Sequence, residues 1–271
     1  METPPPFRCG NTALPGRGEV GTTAAMKNVV SLVAAVWMIS SCASTPEPVK
    51  ATSTTEARSD ADIALDEGRK PEVLVAFAGV KPGMKVADLG AGGGYTSEVL
   101  ARAVGEGGVV YSQNNPWLVE KFANKPWTER LAKPVMKNVV RVEREFDDPI
   151  PAEAKDLDVV VDILFYHDTV WLKTDRAAMN KAIFDHLKSG GVYVVVDHSA
   201  KDGAGVSEAQ TTHRIEQSVV MSEILGAGFV LDEESNAWRE PSDDRTWNAS
   251  PGAAGEKRGH SDRFAMRFKK P

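Results

Sequence analysis

Residues 85–96, with the sequence KVADLGAGGGYT, decide the fold of this chain. The apolar start predicts a short buried strand, the glycines a tight turn, and the residues from Tyr95 onward the first turn of a helix. Glycine has no Cβ, so its backbone can bend sharply and lie close to a ligand. The N–H groups at the start of the helix can contact polar ligand atoms. We therefore expect a ligand-binding strand–turn–helix unit.

The spacing of the glycines argues against a dinucleotide-binding turn. The dinucleotide fingerprint is G-x-G-x-x-G, or the same pattern ending in alanine. Counted from Gly90, its last position falls on Tyr95; counted from Gly92, it falls on Ser97. Neither side chain allows the close helix–strand packing that the third glycine provides. The observed pattern is instead D-x-G-x-G-x-G, beginning at Asp88.

This pattern resembles motif I of class I S-adenosylmethionine-dependent methyltransferases, in which the glycines let the loop approach the amino-acid and ribose portions of the cofactor. The resemblance implies S-adenosyl-L-methionine as the cofactor of this chain. It also implies that the turn supplies cofactor-binding residues, namely Asp88, Gly90, Ala91, Gly92, Gly93 and Gly94. A glycine-rich turn without a ligand is the structural alternative.

Strand and helix patterns alternate through the rest of the chain, which predicts an α/β fold with one doubly wound sheet. Strands after the turn are predicted at 109–111, 139–142, 157–165, 192–196, 229–231 and 263–268. Helices are predicted at 61–67, 71–77 and 212–225, and a helical segment at 116–134 is broken by Pro126. The resemblance implies a Rossmann-like methyltransferase sheet over residues 61–271, mostly parallel with an antiparallel hairpin at its C-terminal edge.

Three further segments resemble a bacterial group of predicted, often exported methyltransferases that has no established substrate. They are DEGRKP at 66–71, LFYHD at 164–168 and VDHSAKDG at 196–203. The resemblance extends over nearly the whole predicted domain. It implies a type of chemistry, methyl transfer, and leaves the methyl acceptor open.

The first 42 residues are predicted to be a disordered extension followed by a lipoprotein-type signal peptide. Lys27 supplies a positive charge, and an apolar run at 29–39 is too short to span a bilayer but has the length of a signal-peptide core. The sequence ISSC at 39–42 resembles a bacterial lipobox, in which the cysteine is lipidated and becomes the mature N-terminus. We expect translation to start at Met26 and Cys42 to carry the lipid.

A lipid at Cys42 implies an exported, periplasmic protein anchored to the outer membrane, because Ala43 rather than aspartate follows the cysteine. Residues 43–60 are rich in Pro, Ser, Thr and Glu and are predicted to be a flexible tether. If the leader is not functional, the protein is cytoplasmic. The only two cysteines precede the predicted domain, so we expect no disulfide and no thiolate metal site within it.

Polar residues after the second and third strands are candidates for cofactor contacts, since ligands bind at the carboxyl ends of parallel strands. The family usually has an acidic residue after the second strand that accepts the ribose hydroxyls. Here the sequence is SQNN at 112–115, and we match Asn114 to that position; an amide brings no charge. After the third strand, the resemblance implies Asp147 as the partner of the adenine amino group, with a plain turn carboxylate as the alternative.

Candidate catalytic residues follow the fourth and fifth strands. Methyl transfer is an in-line displacement, and a base is needed only if the acceptor arrives protonated. His167 is the first candidate base, with Asp168 orienting it or acting alone and Tyr166 packing against the acceptor. His198 is the second candidate and His213 the third.

Neither a metal nor a nucleic acid is expected as a partner. No two histidines have helical i, i+4 ligand spacing, and no known metal signature is present. The formal net charge is −6 and there is no run of Lys or Arg, so an electrostatic site for nucleic-acid phosphates is not indicated. A small-molecule acceptor is therefore expected.

Three functions are consistent with the sequence. The first is an S-adenosylmethionine-dependent methyltransferase. The second is a catalytically degenerate ligand-binding module of the same fold at the cell envelope, which the amide at Asn114 and the export signal favour, since S-adenosylmethionine is made in the cytosol. The third is a dehydrogenase of related fold, which the glycine spacing disfavours.

Overall fold

The computed structural model describes residues 58–271. The expected start at Met26, the signal peptide, the lipidation site at Cys42 and most of the predicted tether lie outside the described residues. Between residues 58 and 271, no helix has both the length and the apolar character needed to cross a membrane.

A single seven-stranded sheet forms the centre of the domain, with the strand order β3-β2-β1-β4-β5-β7-β6. The first five strands run parallel, whereas β7 lies between β5 and β6 and pairs antiparallel with both. This arrangement confirms the predicted fold class, including the antiparallel C-terminal edge. The strands are β1 (Lys85–Leu89), β2 (Val109–Asn114), β3 (Val139–Glu143), β4 (Leu157–Ile163), β5 (Leu187–His198), β6 (Val230–Glu234) and β7 (Arg263–Lys269).

Helices cover both faces of the sheet, and their ends follow local signals. The helix α2 begins at Pro71, whose fixed φ suits the first helical position, and is capped after Ala78 by Gly79, which has a left-handed φ of 66°. The helices are α1 (Asp60–Arg69), α2 (Pro71–Ala78), α3 (Tyr95–Val104), α4 (Pro116–Leu118), α5 (Asn124–Leu131), α6 (Asp168–Trp171), α7 (Arg176–His186) and α8 (Gln217–Gly226).

The hydrophobic core forms two layers, one on each face of the sheet. The central strand β4 contributes to both: Val159 and Val161 pack with α2 and α3, and Val160 packs with α7 and α8. All three valines are at most 1% exposed. Because a strand buried on both faces needs apolar residues at every position, its near-continuous hydrophobic run predicted this location.

Two segments differ from the sequence prediction for identifiable reasons. Pro126 does not break a helix, because it lies in the first turn of α5, where its missing N–H needs no partner; a π-helical turn at Val119–Ala123 precedes it. The helix predicted at 212–225 starts only at Gln217. Upstream of it, Ile215 pairs with Ser199 in an isolated parallel bridge, so the chain stays extended alongside the end of β5.

Candidate functional site

The glycine turn after β1 has a backbone that other residues rarely adopt. Gly90, Gly92 and Gly94 have φ values of 59°, 55° and 80°. A Cβ at Gly90 would lie 2.3 Å from Cγ of Phe165, whereas a Cβ at Gly92 would meet no atom within 4 Å. Steric crowding therefore requires glycine at position 90, and open space lies beside position 92.

The end of β2 holds this turn through hydrogen bonds to its N–H groups. The Gly90 N–H donates to Gln113 Oε1 at 3.1 Å, and the Ala91 N–H donates to the Gln113 carbonyl at 2.9 Å. The Gly92 N–H donates to Asn114 Oδ1 at 2.7 Å. These three N–H groups of the turn are thus paired within the protein.

Asn114 and Asp147, the two predicted cofactor contacts outside the glycine turn, have hydrogen-bond partners within the protein. Asn114 is fully buried, and its Nδ2 also donates to the Gly92 carbonyl at 3.1 Å, so both ends of its amide are bonded to the turn. Asp147 is exposed and accepts a hydrogen bond from the Asp175 N–H at 2.8 Å. Neither residue lines the cavity described below. In this structure, Asn114 supports the glycine turn, and Asp147 holds the segment before α7.

Asp88 lies behind the turn and connects β1 to the start of α3. It is 1% exposed and accepts a hydrogen bond from Ser97 Oγ at 2.6 Å. Ser97 Oγ lies 2.7 Å from Ser112 Oγ, which in turn accepts from the Trp127 indole N–H at 2.9 Å. Burial raises the pKa of Asp88 to about 7, against the opposing effects of Ser97 and the positive charge of Arg69. The contacts of Asp88 are therefore internal, and they join β1 to α3 on the side of the turn away from the cavity.

A cavity of about 510 Å³ opens beside the turn, and its volume lies in the range of sites for small molecules. Its walls come from α1, the glycine turn, the ends of β4 and β5, and the long loop before β7. Among the lining residues are Gly90, Gly92, His167, Asp168, His198 and His213. The structure thus brings the predicted cofactor turn and all three candidate histidines to one cavity.

Arg69, at the end of α1, is a cation in this cavity that the sequence analysis did not single out. Among residues 58–271, no side chain forms a hydrogen bond or ion pair with its guanidinium; Cζ lies 5.4 Å from the centre of the Tyr95 ring. Burial lowers the pKa of Arg69, while Tyr95 and Asp88 act in the opposite direction. A guanidinium without a hydrogen-bond or ion-pair partner is suited to bind a carboxylate through two parallel hydrogen bonds.

His167 lies between two carboxylates. Its Nδ1–H donates to Asp197 Oδ1 at 2.7 Å, and its backbone N–H donates to Asp197 Oδ2 at 2.8 Å. Its Nε2 lies 3.1 Å from Asp168 Oδ1 and 3.2 Å from His213 Nδ1. Burial alone would lower the pKa of His167, but Asp197 and Asp168 outweigh it and raise the pKa to about 10. Without another cation present, His167 is an imidazolium near neutral pH and a poor base.

His198 has the opposite electrostatic environment. Burial, followed by the positive charges of Arg263 and His167, lowers the pKa of His198 well below its usual value. Its Nδ1 lies 2.7 Å from Ser261 Oγ, and its Nε2 has no hydrogen-bond partner in the described part of the chain. With the proton on Nδ1, Nε2 keeps a lone pair that can accept a proton. The geometry therefore favours His198 over His167 as a base.

Tyr166 points away from the cavity, which differs from the expectation that it packs against an acceptor. It is fully buried, its hydroxyl donates to Glu223 Oε2 at 2.8 Å, and it accepts from Asn180 Nδ2 at 2.9 Å. A buried phenol needs such partners, and α7 and α8 supply them. The neighbouring Phe165 lines the cavity instead, with its ring centre 4.7 Å from that of Phe146.

Comparison with known proteins shows the fold. No protein-family model matches the chain, and no curated protein sequence matches it. The structure is similar to a SAM-dependent methyltransferase from Aquifex aeolicus, with 18% identity and a TM-score of 0.55 over 76% of this chain and 92% of that protein. It is also similar to the cyclase SpnF, with 16% identity and a TM-score of 0.53 over 75% and 81% of the two chains. The chain therefore has the Rossmann-like methyltransferase fold.

Replacing Gly90 by alanine should destabilise the protein more than the same change at Gly79. Both positions have a left-handed φ, which costs a residue with a Cβ roughly 1–3 kcal/mol. Only the Cβ at Gly90 would overlap a buried ring, that of Phe165, whereas Gly79 has open space. Urea unfolding of Gly90→Ala and Gly79→Ala measures the difference. Equal losses of unfolding free energy in the two variants would contradict the proposed crowding at Gly90.

Replacing Asp88 by asparagine should change the pH dependence of stability. The pKa of Asp88 rises from 3.8 in the unfolded chain to about 7 in the folded protein. Between these pH values the folded state binds more protons, so the wild type loses unfolding free energy as pH rises, by up to about 1.4 kcal/mol per pH unit. Asp88→Asn cannot ionise and should lack this loss.

Urea unfolding from pH 4 to pH 8 provides the measurement. The unfolding free energy of Asp88→Asn minus that of the wild type should increase up to about pH 7 and then stay constant. Asp202→Asn removes an exposed carboxylate and serves as the control, which should follow the wild type. A difference between Asp88→Asn and the wild type that does not vary with pH would refute the buried, protonated carboxyl group.

Proposed function

We propose that the chain is an S-adenosylmethionine-dependent methyltransferase that acts on a small-molecule acceptor. The observation that carries this proposal is the glycine turn at the carboxyl end of β1, which opens into the same cavity as His198. Gly90 and Gly92 combine left-handed backbones with positions on the cavity wall. The fold supports the proposal, although it also occurs in a cyclase.

The residues of the cavity fit the parts of S-adenosylmethionine. Arg69 would bind the carboxylate of its amino-acid portion, because this guanidinium has no hydrogen-bond or ion-pair partner among residues 58–271. Leu118, Leu164 and Phe165 supply apolar wall for a nucleobase. The open space beside Gly92 lets a ligand approach the backbone.

The proposed reaction assigns separate tasks to the protein residues. The bound cofactor supplies an electrophilic methyl group on a sulfonium. His198 accepts the proton of the acceptor through Nε2, and Ser261 fixes the ring of His198 through Nδ1. The cavity positions the acceptor, from which much of the rate of an in-line displacement arises.

The effect of replacing Arg69 on the affinities for two ligands tests cofactor binding. Titration calorimetry of the full-length protein should detect S-adenosylhomocysteine but not NAD. Arg69→Gln should weaken S-adenosylhomocysteine binding by roughly 10- to 100-fold, the range expected for losing a hydrogen-bonded charge. The same variant should change the affinity for 5′-methylthioadenosine by less than about threefold, since that molecule has no carboxylate for Arg69 to bind.

Arg144→Gln, which removes an exposed arginine paired with Asp148, is the matched control and should bind both ligands as the wild type does. Equal losses of affinity for both ligands in Arg69→Gln would mean that the arginine stabilises the cavity wall and does not bind a carboxylate. Failure of the wild type to bind S-adenosylhomocysteine would overturn the proposed function.

A second candidate function is a binding module of this fold without turnover. It is favoured by Asn114, whose buried amide is bonded to Gly92 and leaves the end of β2 without a carboxylate facing the cavity. A labelled methyl donor incubated with cell extract distinguishes the two functions, since only an enzyme transfers the label.

Substitution of His198 should separate catalysis from binding. His198→Asn should lower the rate of label transfer by about 100-fold or more, the usual size of a general-base effect, while S-adenosylhomocysteine binds with nearly unchanged affinity. His186→Asn, at a half-buried histidine bonded to the Ala154 carbonyl, is the control. Full turnover in His198→Asn would remove this residue as the base.

We also propose that the protein is exported and anchored to the outer membrane through a lipid on Cys42. The support is the order of charge, apolar run and lipobox-like sequence in residues 26–42. Mass spectrometry of the cellular protein tests this proposal. A diacylglyceryl-modified N-terminal cysteine is expected, and the presence of residues 1–25 would contradict it.

A further inference from the structure

Three side-chain atoms form a nearly equilateral triangle on the wall of the cavity. His167 Nε2 lies 3.1 Å from Asp168 Oδ1 and 3.2 Å from His213 Nδ1, and the third side, from His213 Nδ1 to Asp168 Oδ1, is 3.2 Å. Two of the atoms are imidazole nitrogens and one is a carboxylate oxygen. All three are donor types that bind metal ions in proteins.

The size of the triangle matches the coordination shell of a divalent transition metal. Bonds of about 2.0–2.1 Å place two ligands of a tetrahedral ion about 3.3 Å apart and two adjacent ligands of an octahedral ion about 3.0 Å apart. The observed sides of 3.1–3.2 Å lie between these values. An ion could therefore bind with ligand shifts of only a few tenths of an ångström.

Hydrogen bonds outside the triangle orient two of its members. Asp197 accepts the Nδ1–H of His167 and also its backbone N–H, which fixes the ring with Nε2 toward the triangle. The Trp171 indole N–H donates to Asp168 Oδ1 at 2.7 Å. A histidine that binds a metal usually donates its other ring N–H to a carboxylate, which is the arrangement of His167.

A tertiary contact positions His213, the third member of the triangle. The Ile215 N–H donates to the His198 carbonyl at 3.0 Å, and this pairing keeps the segment before α8 extended along the end of β5. His213 lies two residues earlier, with a left-handed φ of 53°. The side chains of His213 and Asp168 are 24% and 17% exposed, so the triangle has a side that is open to the cavity.

We propose that His167, Asp168 and His213 bind a divalent transition-metal ion, with a free coordination position toward the cavity. Two imidazoles and one carboxylate suit Zn²⁺ or Fe²⁺ and do not suit Mg²⁺ or Ca²⁺, which prefer oxygen ligands. The ion would bind an oxygen or nitrogen atom of the acceptor and lower the pKa of a coordinated hydroxyl. Only this role in the reaction depends on the proposed methyl transfer; the site itself depends on ligand geometry.

A proton is the competing occupant of the triangle. On Nε2 of His167 a proton would be shared with Asp168 and His213, and the carboxylates of Asp197 and Asp168 would stabilise the imidazolium. The two possibilities differ in what the purified protein binds, because a site held by an imidazolium ion pair has no affinity for Co²⁺ or Zn²⁺ beyond that of the surface.

Titration with Co²⁺ tests the site directly, because the visible spectrum of this ion reports its ligands. The full-length protein, without an affinity tag and treated with a chelator, should bind one ion per chain, and Zn²⁺ should displace it. His213→Ala should weaken binding by about 100-fold or more, and Asp197→Asn by roughly 10- to 100-fold through loss of ring orientation. His260→Ala, at another histidine of the same cavity, is the matched control and should leave binding unchanged.

Two outcomes would overturn the metal site. One is the absence of a bound-Co²⁺ spectrum in the wild type. The other is a spectrum that His213→Ala leaves intact, which would place the ion elsewhere in the protein. Asp168→Asn keeps the side-chain shape and provides a second variant, with circular dichroism as the check on folding. S-adenosylhomocysteine affinity, measured separately, shows whether the cofactor site has failed as well.

Discussion

The hydrogen bonds between the end of β2 and the glycine turn are the constraint on which the site depends. A turn with successive left-handed glycines has many accessible conformations, and glycine loses more entropy on ordering than any other residue. Asn114 bonds both the N–H and the carbonyl of Gly92, and Gln113 bonds the N–H groups of Gly90 and Ala91. Two side chains and one backbone carbonyl of β2 thus fix the backbone of the neighbouring turn and keep its open side toward the cavity.

The amide of Asn114 at the end of β2 makes a pair of hydrogen bonds that a carboxylate could not make. A carboxylate at position 114 could accept the Gly92 N–H, but it could not donate to the Gly92 carbonyl, as the amide of Asn114 does. The double contact therefore requires an amide. This position can hold either an acidic residue that contacts a ribose or an amide that fixes the turn. In this chain it holds the amide of Asn114.

A second charge arrangement organises the ends of β4 and β5. Asp197 is fully buried on β5, where an unpaired carboxylate would be costly, and it accepts hydrogen bonds from two backbone N–H groups and from the ring of His167. The resulting positive charge at His167 contributes to the low pKa of His198 nearby. Burial and Arg263 lower the pKa of His198 more strongly than His167 does, so Asp197 is one of several groups that give the two histidines different protonation states.

The sequence predicted the sheet and the glycine turn because both follow from local patterns. Apolar runs with regular spacing specify strands and helices, and glycine adopts the left-handed φ values at positions 90 and 92 more readily than other residues do. Side-chain direction was not predictable in the same way. Tyr166 and His167 are adjacent in sequence, yet the first bonds Glu223 between helices and the second lines the cavity. Which of two neighbours faces the site depends on partners that are distant in sequence.

The triangle around His167 shows this limit most clearly. His167 and Asp168 are neighbours, but His213 lies in a segment whose sequence predicted a helix. Had that helix formed, the residues before Gln217 could not have run alongside β5 through Ile215. Long-range pairing overrides local helix propensity here, and it places the second imidazole nitrogen, His213 Nδ1, 3.2 Å from each of the other two atoms of the triangle. Spacing in the sequence contains no trace of this contact, because the two parts of the triangle approach each other only through the end of β5.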